Sequence, residues 1–84
     1  MSSRRQDELS ALGQAVQRLR EERALSVREL ADSSGLSVLA LESLERGALD
    51  PTFALLVELA RCLDVRPAAI FERAQQIAER EREA

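Results

Sequence analysis

The sequence has no His, Lys, Tyr or Trp, and its 84 residues include one Cys and two Phe. Without His or Lys, the chain lacks the usual proton shuttle at neutral pH and the usual amine nucleophile, which excludes much enzyme chemistry. One Cys excludes an intramolecular disulfide and a Cys-rich zinc site. We therefore expect a protein that is not an enzyme and that has no catalytic residues, no metal and no cofactor.

Long hydrophobic runs are also missing from the sequence. No segment approaches the roughly 18 consecutive apolar residues that a membrane span requires. The basic residues near the start are not followed by the apolar stretch of a secretory signal. We expect a cytoplasmic protein that makes no contact with a membrane, and no pattern in the sequence indicates a small-molecule site.

The residues that are abundant favour helices. Leu, Ala, Arg and Glu dominate the composition, whereas the chain has three Gly and two Pro. A chain of this length can bury one small core and no second one. The composition therefore predicts a single all-α domain.

Apolar residues at three- and four-residue steps predict a first helix from about residue 7 to residues 22–24. Residues 1–6 lack this pattern, which predicts a flexible N-terminal arm. Ser26 and Glu29 then form a capping box, in which each side chain accepts a hydrogen bond from the other residue's amide. A second helix should follow, and Gly35 suits its left-handed end.

Three more helices complete the pattern. Ser37 can cap a third helix at residues 38–45, and Thr52 can cap a fourth. The fourth is strongly apolar from Phe53 onward, so we expect it at the centre of the core. Pro67 suits the first position of a fifth helix. The expected organisation is an arm over 1–6, a domain over 7–72, and an extension of the last helix over 73–84.

A short capped helix, a turn with Gly and a second short helix form a helix-turn-helix. The segments around it read LGQAVQRLREERALS at 12–26, RELADSSGLS at 28–37, LESLERG at 41–47 and DPTFALLVELARCLDV at 50–65. Over roughly residues 9–72 they resemble the phage-repressor/Cro-like helix-turn-helix family, also called the XRE family. The resemblance implies a compact five-helix, lambda-repressor-like fold. It also implies a small transcriptional regulator, which we expect to be a repressor, that binds double-stranded DNA sequence-specifically.

In such a motif the second short helix lies in the major groove, with its N-terminal residues at the base edges. The resemblance therefore implies a base-reading set of Ser37, Val38, Leu39, Ala40, Glu42 and Ser43. Family members commonly have polar residues where this chain has Val38 and Leu39. Aliphatic side chains contact the thymine methyl group but cannot hydrogen-bond a base. The alternative is that residues 38–40 form an apolar patch for a protein partner, on a fold that has lost DNA binding.

Phosphate contacts are expected at the start of the second helix and just after the third. The candidates are Ser26, Val27, Arg28, Arg46 and Gly47, with Arg4 and Arg5 in the arm. The family often has Gln where this chain has Val27, which leaves backbone amides for that contact. Alternatively, Arg28 pairs with Asp32, Arg46 complements the helix dipole and the arm is only a solubilising terminus.

The charge of this segment argues for a second subunit. Residues 26–47 carry two Arg against four acidic residues. Because few phosphate contacts give weak binding at physiological salt, we expect a homodimer or a protein partner. Ala74, Ile77 and Ala78 form an apolar stripe on the fifth helix. That stripe is a candidate dimer surface, and its alternative is packing on the first helix of the same subunit.

The resemblance assigns a structural role to Arg20 and Glu45. It places them as a partly buried ion pair that joins the first helix to the end of the third helix. The alternative is two exposed charges with little energetic weight.

Overall fold

The computed structural model describes residues 4–83, which form five α-helices joined by short turns. The helices are α1 (Arg4–Glu22), α2 (Val27–Ser34), α3 (Val38–Glu45), α4 (Phe53–Cys62) and α5 (Pro67–Glu83). No strand occurs within these residues, so the predicted all-α class is confirmed. None of these helices is both long enough and apolar enough to cross a lipid bilayer.

Local capping sets the bounds of α2. The Ser26 hydroxyl accepts a hydrogen bond from the Glu29 amide at 3.0 Å, and the Glu29 carboxylate accepts one from the Ser26 amide at 2.8 Å. Gly35 ends the helix at φ 79°, a left-handed conformation that suits glycine. The Leu36 amide then donates to the Ala31 carbonyl at 3.0 Å. The predicted capping box and the predicted glycine end are confirmed.

The starts of the later helices follow the same chemistry. The side-chain oxygens of Ser37 and Thr52 accept hydrogen bonds from the amides of Ala40 at 3.0 Å and Leu55 at 3.1 Å. Pro67 is the first residue of α5, where a missing N–H leaves no helical hydrogen bond unmade. The predicted starts of α3, α4 and α5 are therefore confirmed.

All five helices contribute to one core. α1 packs most extensively on α5 and also contacts α3, while α2 contacts α3 and α4, and α4 contacts α5. The largest fully buried side chains are aliphatic and come from every helix or its end: Val16, Leu30, Leu41, Leu44, Leu59, Leu63 and Ile70. This burial is the main favourable term in the stability of a domain this small.

The predicted flexible arm is wrong for residues 4–6, which belong to α1. Contacts with the turn after α3 explain the longer helix. Arg5 forms an ion pair with Asp50, and Gln6 Nε2 donates to the Gly47 carbonyl at 3.1 Å. Both partners are distant in sequence, so apolar periodicity could not reveal them. Residues 1–3 of the expected arm lie outside the described residues.

The apolar stripe on α5 belongs largely to the core of its own subunit. Ile77 is 5% exposed, and Ala74 and Ala78 pack against the same core. Of the two alternatives for this stripe, Ile77 fits packing within its own subunit, because its side chain is already covered, whereas a dimer contact by Ala74 or Ala78 stays a prediction. α5 also continues without a break past residue 72, so the core extends beyond the boundary expected there.

The fourth helix is central to the core except at its first residue. Leu59 and Ala60 are fully buried, but Phe53 is 73% exposed, contrary to expectation. α4 is apolar over most of its circumference, so periodicity alone could not show which face turns inward.

α1 approaches the C-terminal end of α3 at a distance that only glycine allows. A Cβ added at Gly13 would lie 2.6 Å from the Glu45 carbonyl oxygen and nearer still to that of Leu44. Gly47 is buried at φ 78°, and a Cβ there would lie 2.8 Å from the Ser10 Cα. These two glycines set the spacing between α1 and the end of α3.

Gly13→Ala should destabilise the protein, although Ala is the better helix former by about 1 kcal/mol. The added methyl group meets two backbone carbonyl oxygens, so α1 must move away from α3. We expect a net loss of about 2 kcal/mol in the free energy of unfolding, measured by urea denaturation with far-UV circular dichroism. Arg18→Ala, at an exposed position of α1, is the control and should change stability by less than about 0.5 kcal/mol. A Gly13→Ala protein as stable as the control would contradict the close approach.

Candidate nucleic-acid interface

α2 and α3 form two short helices joined by the turn at residues 35–37. Leu30 and Ala31 of α2 are fully buried. Leu41 of α3 is also fully buried, and Leu44 is 1% exposed. These four side chains fix the angle between the two helices by packing against each other and the core. The opposite side of α3 is the surface that a ligand can reach.

The base-reading set predicted on α3 divides by exposure. Ser37, Leu39 and Glu42 are exposed, whereas Val38, Ala40 and Ser43 are half-buried. Val38 packs against the core, and Leu39 is 69% exposed. The apolar patch expected over residues 38–40 therefore narrows to one prominent side chain. A single exposed leucine is ordinary on a protein surface and does not indicate a protein partner.

The N-terminus of α2 presents backbone amides and one arginine. Val27 is half-buried against the core, and its aliphatic side chain cannot hydrogen-bond a phosphate. The first amides of the helix, those of Val27 and Arg28, have no partner within the helix and point along the positive end of its dipole. Arg28 is exposed, and within residues 4–83 no ion pair joins it to Asp32. An anion can therefore meet both the amides and the guanidinium here.

At the C-terminal end of α3, Arg46 is accessible for a phosphate contact and Gly47 is not. The Arg46 side chain is exposed, and among residues 4–83 its one side-chain hydrogen bond is a long one of 3.5 Å to the Ser43 hydroxyl. Gly47 is buried, its amide donates to the Leu44 carbonyl at 3.0 Å and its carbonyl accepts from Gln6. Because both backbone groups are committed within the subunit, Gly47 is not placed to contact a phosphate, contrary to the prediction.

A shallow cleft runs between α1, the start of α2 and the end of α3. Its lining includes Gln17, Val27, Glu42 and Arg46, together with the Arg20–Glu45 pair. Sequence reasoning did not select Gln17. Its position three residues before Arg20 puts both on one side of α1, and this spacing was the signal that could have revealed it.

Arg20 and Glu45 form a buried, two-point ion pair. Arg20 Nε donates to Glu45 Oε2 at 2.8 Å, and Nη2 donates to Oε1 at 3.1 Å. The third nitrogen, Nη1, donates to the Leu25 carbonyl at 2.9 Å. The two side chains are 10% and 8% exposed. The hydrogen bond to Glu45 raises the pKa of Arg20, so the guanidinium stays charged. One side chain thus ties α1 to the α1–α2 turn and to the end of α3.

This pair changes the charge that the motif presents to a ligand. Arg20 lies outside residues 26–47 and neutralises Glu45. The net charge of the folded motif, with Arg20 included, is therefore one unit less negative than that of residues 26–47 alone. Glu29 is engaged in the capping box, where the hydrogen bond from the Ser26 amide lowers the pKa of its carboxyl group. Because a lowered pKa keeps Glu29 ionised, Glu29, Asp32 and Glu42 all remain charged opposite Arg28 and Arg46. The surface therefore keeps one net negative charge.

A helix-turn-helix with a rigidly held, outward-facing second helix defines the class of DNA-binding helix-turn-helix proteins. The chain belongs to the HTH_3 family, described as helix-turn-helix, whose family model matches residues 16–70. It is also similar to the uncharacterized HTH-type transcriptional regulator y4dJ of Sinorhizobium fredii. The two are 44% identical over 54 residues, which cover 64% of this chain and 70% of that protein.

Solved structures agree with this assignment. The clp gene regulator ClgR from Corynebacterium glutamicum superimposes with a TM-score of 0.88 at 28% identity, over 90% of this chain and 81% of that one. The restriction-modification controller protein C.AhdI from Aeromonas hydrophila gives a TM-score of 0.72 at 32% identity, over 74% and 94% of the two chains. The expected five-helix repressor-like fold and the expected role in DNA-binding transcriptional regulation are confirmed.

Arg20→Met should lower the free energy of unfolding by about 3 kcal/mol, because it leaves the Glu45 carboxylate buried without a partner. Arg20→Met combined with Glu45→Leu should recover at least half of that loss, because no buried charge then remains. Chemical denaturation of the single and double variants gives the coupling energy. Arg73→Met breaks the more exposed pair with Glu22, and this control should have little effect. Additive effects at positions 20 and 45 would contradict a coupled, buried pair.

Proposed function

We propose that the protein is a homodimeric repressor that inserts α3 into the major groove of double-stranded DNA. The observation that supports this is the capped α2–α3 pair: α3 packs on α1 and α2 packs on α4, while the outer side of α3 is left exposed. Helix-turn-helix proteins read base edges with that part of the second helix. The relatives are bacterial, and we place the protein in the cytoplasm with the DNA it regulates.

Base reading centres on the exposed residues of α3. Leu39 is 69% exposed and contacts a thymine methyl group. Glu42 accepts a hydrogen bond from a cytosine amino group, and Ser43 bonds to a base edge at the rim. The Ser37 hydroxyl accepts from the Ala40 amide but keeps its own O–H to donate. The half-buried side chains of Val38 and Ala40 let the backbone of α3 approach the floor of the groove.

Phosphate contacts hold α3 in register without reading sequence. The amides of Val27 and Arg28, at the positive end of α2, bind one phosphate together with the Arg28 side chain. Arg46 binds a second phosphate across the cleft, and Gln17 adds a neutral donor. Arg4 and Arg5 are exposed at the start of α1, and Arg5 pairs with Asp50 in the turn after α3, so we retain both arginines as additional contacts.

The small number of these contacts is the reason for proposing a dimer. A slightly acidic surface with two central arginines releases few counterions on binding, so a monomer binds weakly at physiological salt. Two subunits on half-sites about 34 Å apart double the contacts and require a palindromic site. A dimer that occupies a site overlapping a promoter excludes other proteins by its bulk, which is repression.

Selection from a random double-stranded DNA pool, at low and then at physiological salt, should enrich a palindromic sequence. Leu39→Gln should change the preferred base at one position of each half-site from thymine to adenine, because glutamine hydrogen-bonds adenine. Sequencing of the enriched pools measures this. Gln76→Leu makes the reverse exchange at an exposed position of α5 and should leave the selected sequence unchanged. Folded wild-type protein that enriches no sequence even at low salt would favour a protein-interaction module on the same fold.

Arg28→Ala and Arg46→Ala should each weaken binding to selected and to unrelated DNA by similar factors, because phosphate contacts carry no sequence information. Each substitution should also reduce the slope of log affinity against log salt by about 0.9 for every phosphate that is no longer neutralised, which is about 1.8 in a dimer. Fluorescence anisotropy titrations over a salt series test this. Arg73→Ala removes an arginine that is paired with Glu22 outside the motif, and its slope should equal that of the wild type. Unchanged slopes for both test variants would remove these residues from the interface.

A further inference from the structure

A second cleft lies between the C-terminal half of α1 and α5. Its volume of about 530 Å³ falls within the range of roughly 300–1,000 Å³ that is typical of small-molecule sites. The Arg73–Glu22 ion pair borders it, and the other lining residues are Arg18, Glu21, Gln76, Ile77 and Arg80. We refer to this site as the α1–α5 cleft. The sequence did not indicate it, because its residues come from helices at opposite ends of the chain.

Two contacts between the helices frame the α1–α5 cleft. At one end, Nη1 and Nη2 of Arg73 donate to the two carboxylate oxygens of Glu22 at 2.7 Å and 3.2 Å. At the other end, Gln14 Nε2 donates to Glu81 Oε2 at 3.5 Å. The helices therefore run antiparallel, and Arg18 lies between these contacts. α1 and α5 also form the most extensive packing between any two of the five helices, so the walls of the cleft are preformed.

Positive charge remains in the α1–α5 cleft after its ion pair has formed. Arg73 and Glu22 neutralise each other, and Arg18 and Arg80 then share the cleft with one carboxylate, that of Glu21. Within residues 4–83, neither Arg18 nor Arg80 belongs to an ion pair. The hydrogen bond from Arg73 lowers the pKa of Glu22, and the nearby charge of Arg18 lowers it further. Two arginines are thus available to a ligand.

The α1–α5 cleft is more positive than the cleft beside α3. It is lined by three arginines and two glutamates, whereas the cleft beside α3 has Arg20 and Arg46 against Glu42 and Glu45. The whole chain has a formal net charge of −3. A concave surface of positive charge on an acidic protein concentrates small anions from solution. The two clefts have no lining residue in common, so they are separate sites.

We propose that the α1–α5 cleft binds a small phosphorylated sugar or polyol. Arg18 and Arg80 belong to opposite walls of the cleft, so each guanidinium binds a different oxygen of one phosphate group, and the Gln76 amide donates to a third. A phosphate group has three terminal oxygens for these donors. A carboxylate has two oxygens, which a single guanidinium satisfies.

The rest of the lining indicates a ligand rich in hydroxyl groups. Ile77 is the apolar residue of the cleft and is 5% exposed, and no aromatic side chain of residues 4–83 lines the site. A nucleotide base would find no surface on which to stack. The exposed Glu21 carboxylate accepts hydrogen bonds from hydroxyl groups. No residue of α2 or α3 lines the cleft, so a ligand here leaves the DNA-facing surface uncovered, and the proposal does not depend on DNA binding.

Nuclear magnetic resonance of the wild type tests the site directly. Because the chain has no Lys or His, its basic side chains all give arginine Nε–Hε signals. Titration with glucose 6-phosphate, at an ionic strength held constant with NaCl, should shift the signals of Arg18 and Arg80 with one shared dissociation constant. Arg66, an exposed arginine outside the cleft, should not respond, and glucose should shift none of these signals.

Three results of this titration would overturn the proposal. The first is the absence of any shift at Arg18 and Arg80 with both glucose 6-phosphate and inorganic phosphate. The second is an equal shift of every exposed arginine, which means unspecific association of anions. The third is tighter binding of citrate than of glucose 6-phosphate, which contradicts the assignment to phosphate.

Substitutions in the cleft should change affinity in opposite directions. Arg18→Gln and Arg80→Gln should each raise the dissociation constant for glucose 6-phosphate at least tenfold, or about 1.4 kcal/mol. Glu21→Gln should tighten the binding of inorganic phosphate, because it removes a repelling charge. The matched control Arg66→Gln should leave both affinities unchanged. Circular dichroism checks that each variant is folded, and folded Arg18→Gln and Arg80→Gln variants with wild-type affinity overturn the proposal.

Variants of the DNA-facing surface separate this proposal from the proposed function. The Arg28→Ala, Arg46→Ala double variant should lose DNA affinity and still bind glucose 6-phosphate as the wild type does. If the sugar phosphate shifts Arg28 and Arg46 instead, and this double variant no longer binds it, the anion occupies the DNA-facing surface and the α1–α5 proposal fails. If the wild type binds glucose 6-phosphate in the α1–α5 cleft but selects no DNA, the regulator proposal fails and the ligand site stands.

Discussion

The contact between α1 and the C-terminal end of α3 determines where the recognition helix lies. Gly13 lets the backbone of α1 reach the last carbonyl groups of α3, and Arg20 holds Glu45 by two hydrogen bonds in a nearly dry site. Burial of Leu41 and Leu44 supplies the larger stabilisation, but the hydrophobic effect is non-directional and does not fix the orientation of α3. The ion pair costs desolvation, and its two-point geometry fixes the orientation of α3. The surface that α3 presents to DNA follows from this junction.

The same ion pair moderates the acidity of the motif. The sequence of residues 26–47 is net negative, which opposes an approach to phosphate. In the folded protein Glu45 is neutralised from α1, so Arg28 and Arg46 face one competing carboxylate fewer. The remaining electrostatic attraction between the motif and DNA phosphates is modest. The affinity for DNA therefore depends on two linked subunits. The proposed dimer and the proposed DNA site are therefore energetically connected.

Apolar residues were the least predictable part of the sequence. Periodicity placed Phe53 in the core and left the stripe around Ile77 open between a dimer surface and packing within the subunit; the structure exposes Phe53 and buries Ile77. A helix that is apolar over most of its circumference has no single inward face in its pattern. The neighbours decide the outcome: α1 covers the side of α5 that carries Ile77, while nothing within the described subunit covers Phe53.

The sequence by itself determined the five helices, their order and the helix-turn-helix, because caps at Ser26, Gly35, Ser37 and Pro67 act within a few residues of themselves. It also determined the family, since the motif spacing is complete. Only the tertiary structure decided that residues 4–6 extend α1, that Gly47 is buried and that Gln17 borders the cleft between α1, the start of α2 and the end of α3. Each of these depends on partners that are distant in sequence, and such contacts exist only after the helices have packed.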